Sequence, residues 1–121
     1  MKTNQVNTLS VVFPAERLIA YGVAKELLTE VARVSEGWRG WSELKEQARS
    51  AALSVFLNVS EGGSQPPASG AKRRGYDIAQ ASCGEVAAAL DAAEALGLRV
   101  CDRQLVARLA LLLGGLTRRL R

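Results

Sequence analysis

Apolar residues recur at steps of three and four along most of this chain, and that spacing constrains the fold more than any other feature. Tyr76, Ala79, Cys83, Val86, Leu90 and Ala93 step by three, four, three, four and three, the rhythm of a helix that buries one stripe. Leu105, Leu109, Leu112, Leu116 and Leu120 give a second seam. Two earlier segments repeat the pattern. Leu18, Leu27, Val31 and Val34, with Ala20, Val23 and Ala24, belong to a helix that opens at Pro14, a residue suited to a first turn. Leu44, Ala48, Ala51, Val55 and Val59 belong to another that begins near Trp41. The glycines of SEGWRGW separate these two, and the second stops at Gly62-Gly63. GGSQPPASG, residues 62–70, is the clearest loop, Gly97 provides a stop, and Asp102 offers an N-cap. The spacing therefore predicts helices over approximately 14–36, 41–61, 69–96 and 102–120, preceded by a flexible N-terminus over 1–12.

Four long amphipathic helices with short connections have few ways to bury their stripes. The simplest is an all-α, antiparallel up-down-up-down four-helix bundle. The length of 121 residues suits a single domain over 1–121 with a real core. Aromatics are only 5% of the chain, which disfavours sheets. The longest apolar run, LALLLGGL, is too short to span a bilayer and is interrupted by two glycines. The first residues lack the apolar stretch of a signal peptide, so a cytoplasmic protein is expected. Cys83 and Cys101 are not in a CxxC pair and the chain has no histidine, so neither a metal nor another cofactor is expected.

Ser54, Asn58 and Glu61 interrupt an otherwise apolar run, SVFLNVSEGG. At 100° per residue they share roughly 60° of one helical face. Ser82 and Glu85, three apart on the third helix, are natural partners for them. Burying an unpaired polar group costs on the order of 1–3 kcal/mol, so the expectation is a hydrogen-bonded layer between helices two and three that fixes register. Two carboxylates in such a layer also admit an enzymatic reading, as paired acids. With no nucleophile, histidine or metal set beside them, the structural reading is preferred and the chain is not expected to be an enzyme. Cys83 falls on the apolar seam and reads as a small hydrophobe.

ARSAALSVFLNVSEG, Ala48 to Gly62, resembles the S-I-x-x-N-I-A-E-G segment of the proteins encoded by intervening sequences of bacterial 23S ribosomal RNA genes. IAQASCGEV, Ile78 to Val86, resembles that family's I-A-x-G-S-x-x-E segment, and ALGL, Ala95 to Leu98, its helix-ending turn. The combination of Ser54, Asn58, Glu61 and Gly62 with Ser82 and Glu85 is the specific part. Ser50 stands where the family commonly has arginine, Phe56 where it has proline, and Ser64-Gln65 where it often has a basic residue. The resemblance implies a four-helix bundle that assembles as a homopentamer. It also implies kinship with the accessory proteins of diversity-generating retroelements, which include a basic member that binds nucleic acid and a reverse transcriptase.

The charge is unevenly placed. Residues 1–71 hold seven basic and seven acidic side chains, and 72–121 hold nine and five, so the whole net charge of +4 belongs to the second half. Lys72, Arg73 and Arg74 open helix three, and Arg118, Arg119 and Arg121 close helix four. An antiparallel hairpin brings these ends together, offset axially by roughly 10 Å because helix three is the longer. Cations suit the negative end of helix four's dipole but oppose the positive end of helix three's, so Lys72 to Arg74 have no evident stability motive. Phosphate binding supplies one.

The expected function is a non-catalytic, oligomeric bundle that binds RNA or DNA, or a partner enzyme acting on them, through these basic ends. The alternative is a protein-interaction or assembly module with no nucleic-acid role. Trp38 and Trp41 either cap the core or make a protein contact, with capping preferred, and Val11, Val12 and Phe13 form an apolar patch suited to docking on a neighbour.

Overall fold

The computed structural model describes residues 18–120. The expected helix opening at Pro14, the patch from Val11 to Phe13, and Arg121 lie outside them. Four helices follow one another: α1 Ile19–Ser35, α2 Ser42–Ser64, α3 Gly70–Ala95 and α4 Arg103–Arg119. Among the described residues there is no strand. No helix there is long and apolar enough to cross a membrane.

Local chemistry sets several helix ends. Ser69 Oγ accepts from the Lys72 amide at 3.1 Å and Asp102 Oδ1 from the Gln104 amide at 2.9 Å, so both helices of the second hairpin start on side-chain caps. The end of α3 is a Schellman turn: the Leu98 amide donates to the Ala93 carbonyl and the Gly97 amide to that of Glu94, with Gly97 at φ +76°. The first hairpin is clamped differently. Arg49, on α2, donates to Ser35 Oγ at 2.7 Å, to the Ala32 carbonyl at 2.8 Å and to Glu36 Oε2 at 2.7 Å, thereby satisfying the last turn of α1.

Each helix packs on the next and α1 packs on α4, while α2 and α4 do not touch. The contacts fix direction. Arg49 meets Ser35 at one end of the first hairpin, and the Tyr21 and Phe56 rings meet at the other, 5.0 Å between centroids. Ser54 bonds Ser82, whereas the later Gly62 meets the earlier Gly75. Arg103 pairs with Asp91 at 3.2 Å, whereas the later Gly114 faces the earlier Gln80. Every neighbouring pair is antiparallel, and the up-down-up-down bundle expected from the periodicity is the fold observed.

The core is built from the expected seams, including Leu27, Val31, Val34, Val55, Val59, Val86 and Leu90. Two differences stand out. In α4 the fully buried line runs Val106, Leu109, Leu113 and Thr117, while Leu105, Leu112, Leu116 and Leu120 are only half-buried against it. Thr117 is tolerated there because its hydroxyl donates to the Leu113 carbonyl at 2.8 Å. Second, Gly62-Gly63 do not stop α2, which continues to Ser64, whereas α4 runs through Gly114-Gly115 to Arg119 as expected. Packing on α3 holds Gly62 helical: a Cβ there would stand 2.8 Å from the Tyr76 ring, and one on Gly75 would stand 2.9 Å from the Gly62 backbone. Tertiary contact outweighs the roughly 1 kcal/mol per glycine that propensity opposes.

At the end of the bundle formed by the α1–α2 and α3–α4 links, Trp38 is buried and its Nε1 donates to the Arg99 carbonyl at 2.6 Å, tying the two links together. Trp38 is thus the core cap expected. Trp41 is not, since it stands 45% exposed.

Candidate nucleic-acid interface

The opposite end carries the start of α3 and the end of α4. Asp91–Arg103 and Gln80–Gly114 set the register of this pair, which places Arg118 and Arg119 within about one helical turn of Arg73 and Arg74 along the bundle axis. The clusters lie closer than the 10 Å offset expected, because the link from Leu96 to Asp102 absorbs part of the difference in helix length at the far end. All four arginines are exposed. The ion pairs among the described residues are Glu30–Arg33, Glu36–Lys45, Glu36–Arg49 and Asp91–Arg103, and none engages this patch.

The arginines do not all face one way. Arg118 folds back along α4, its Nη1 positioned 3.5 Å from where a Cβ of Gly114 would stand, on the side that faces Gln80 of α3. Arg119 turns to the other side, at the rim of an apolar groove lined by Leu18, Ile19, Leu112 and Leu116. The cations therefore spread over the tip of the bundle instead of converging on one point. Such a surface attracts phosphates along a backbone better than it grips a single anion.

Lys72 requires a correction. Its Nζ donates to the Gly62 carbonyl at 2.7 Å and lies 5.4 Å from the centroid of the Tyr76 ring. It caps the C-terminal turn of α2, where the dipole favours a cation, and desolvation lowers its pKa. The stability motive that the sequence did not reveal exists for Lys72, though not for Arg73 or Arg74. Tyr76 is buried, with its ring occupied by Gly62 and Lys72, so it offers no face on which a base can stack.

The polar layer is smaller than expected. Ser54 Oγ and Ser82 Oγ share a hydrogen bond of 2.8 Å, and Asn58 Nδ2 donates to the Ser54 carbonyl at 2.9 Å and to Ser54 Oγ at 3.3 Å. These three form the layer, half-buried on α2 and buried on α3. Glu61 and Glu85 do not join it. Both are exposed, and Glu61 accepts only from Gln65 Nε2, one turn on along its own helix. The cause is direction: with Ser54 level with Ser82, an antiparallel partner carries Glu61 toward Gly75 and Glu85 the opposite way. The two carboxylates end up about 15 Å apart along the axis.

Cys83 sits in the core between α3 and α4, where burial raises its thiol pKa from an ordinary 9.0 to about 11. Among the described residues no group of three or more histidine, cysteine or acidic side chains is placed to hold a metal ion. Sequence reasoning missed Arg49, the cap that Lys72 places on α2, and the Gly62–Gly75 contact. The last had a signal, since glycines inside a helical pattern mark close backbone approach.

Compared with known families, residues 16–113 match the model of the 23S rRNA-intervening sequence protein. A search of curated proteins gave no match.

Proposed function

The chain belongs to the family of 23S rRNA-intervening sequence proteins, and from that premise we propose that it is a non-catalytic bundle that binds the phosphate backbone of RNA or DNA. In this reading the protein serves nucleic acid or an enzyme acting on it, as a homo-oligomer of the pentameric kind that the sequence resemblance implies. The observation that carries it is the exposed cluster of Arg73, Arg74, Arg118 and Arg119 at one bundle end, with no acidic partner among the described residues. Clustered cations that lack structural partners gain affinity for nucleic acid by releasing its counterions. Non-catalytic action is supported by the separation of Glu61 and Glu85, which removes the paired-acid geometry.

Fluorescence anisotropy with labelled RNA and DNA duplexes tests the proposal. Binding should be independent of sequence, and four phosphate contacts give a log–log salt slope of about −3 to −4. Replacing all four arginines by glutamate should abolish it. Absence of binding to both duplexes at low salt, or binding untouched by the charge reversal, defeats the reading.

A further inference from the structure

The outer seam between α3 and α4 carries two adjoining features. The first is a pair of donors. Gln80 Nε2 and Arg118 Nη1 stand 3.4 and 3.5 Å from the point that a Cβ of Gly114 would occupy, so the two nitrogens lie within about 7 Å of each other. Gly114, having no side chain, lets both reach that point. A phosphate bridges donors spaced in this way, because each nitrogen bonds a different oxygen at about 2.9 Å. Arg118 makes no ion pair among the described residues.

The second feature is an apolar groove of about 290 Å³ that begins at Gln80 and ends at Arg103. Gly84, Ala87, Ala107 and Ala110 line its sides, above the buried Cys83 and Val106. Over Gly84 the groove is open, since nothing stands within 4 Å of an added Cβ. Its two ends differ: Arg103 is engaged by Asp91 at 3.2 Å, whereas Arg118 is free to take an anion.

The spacing joins the two features. Gly84 follows Gln80 by four residues and Ala110 precedes Gly114 by four, so the near part of the groove lies about 6 Å along the axis from the donor pair. That step is comparable to the reach from a phosphate across its ribose to the base. The groove falls just below the range of about 300–1,000 Å³ typical of small-ligand sites, which suits one flat base and nothing much larger. Arg73, seven residues before Gln80 and within about 20° of it around α3, lies further along the same line, placed for another phosphate of the strand. Asp77, exposed and three residues before Gln80, points about 60° away from it. We propose that this seam binds one unpaired nucleotide, with its phosphate held by Gln80 and Arg118 and its base laid in the groove. An intact duplex keeps its bases stacked and paired, so it offers this seam phosphates alone.

This inference rests on the backbone-binding reading and adds a selectivity to it. Fluorescence anisotropy with two labelled RNAs tests it: a blunt duplex, and the same duplex carrying one bulged nucleotide. The wild type should bind the bulged RNA roughly tenfold more tightly, the return on burying one base. Gly84→Leu fills the groove at an exposed position with open space beside it. It should erase that preference and leave the affinity for the blunt duplex unchanged, and Gln80→Leu, which deletes one donor, should reduce the preference severalfold. Greater flexibility of the bulged RNA would favour it equally in every variant. Equal affinities for the two RNAs in the wild type, or a preference that survives either substitution, overturns the inference alone. Failure of the wild type to bind either RNA at low salt overturns the backbone-binding reading and this inference with it.

Discussion

The seam between α2 and α3 and the seam between α1 and α4 close the same bundle by opposite means. At the first, Gly62 and Gly75 let two backbones approach until no Cβ fits, Ser54 and Ser82 share a hydrogen bond, and Lys72 reaches across to cap α2. At the second, larger side chains hold the helices apart, and Leu18, Ile19, Leu112 and Leu116 line an open apolar groove. Close approach makes one seam specific, because only one register satisfies both the glycines and the serines. The open seam is held by nondirectional burial, which tolerates substitution. The protein therefore fixes its geometry along α2 and α3, and α1 and α4 complete the core around that pair.

The sharpest way to break this contrast is to add one methyl group. Gly75→Ala drives a Cβ to 2.9 Å from backbone atoms of Gly62 and 3.0 Å from the Asn58 carbonyl, and should cost about 2 kcal/mol or more in urea unfolding despite the gain in helix propensity. Gly22 and Gly84 have nothing within 4 Å of the same position. Alanine there should stabilise by roughly 0.5–1 kcal/mol. Equal effects at Gly75 and Gly22 would show that close backbone approach at the α2–α3 seam is not what makes Gly75 necessary.

Lys72→Met keeps the apolar stem over Tyr76 but deletes the donor to the Gly62 carbonyl. It should cost about 1–2 kcal/mol, and amide exchange should rise selectively in the last turn of α2. Cys83 sharpens the comparison through pH. Its folded pKa of about 11 exceeds the ordinary 9.0, so above pH 9 the unfolded chain releases a proton that the folded chain retains. Stability should therefore fall as pH rises from about 9 to about 11, and the decline should be shallower in Cys83→Ala, measured by denaturant titration at each pH. The smallest effect belongs to the open seam: Ile19→Ser, at a position 65% exposed, should change stability by less than about 0.5 kcal/mol.

Much of the architecture was legible in the residues. The stop at Gly97 and the cap at Asp102 are local signals, and the structure uses both. The Ser54–Ser82 bond was also foreseeable, since each serine interrupts an apolar stripe on its own helix. The acids were misplaced for a definite reason. Helical spacing says which residues share a face but not how far one helix slides past the next, so Glu61 and Glu85 passed for neighbours until antiparallel register separated them. Lys72 carried no sequence signal at all, because its partner is a backbone carbonyl across a loop.

The sequence by itself determined the helices, their buried stripes and the concentration of cations in the second hairpin, because these depend on spacing along one chain. Only the tertiary structure decided which cations are already engaged, which glycines are contacts instead of stops, and which leucines remain outside. Those properties depend on the axial offset and rotation between helices, which are set where backbones meet and not by the periodicity of either helix alone.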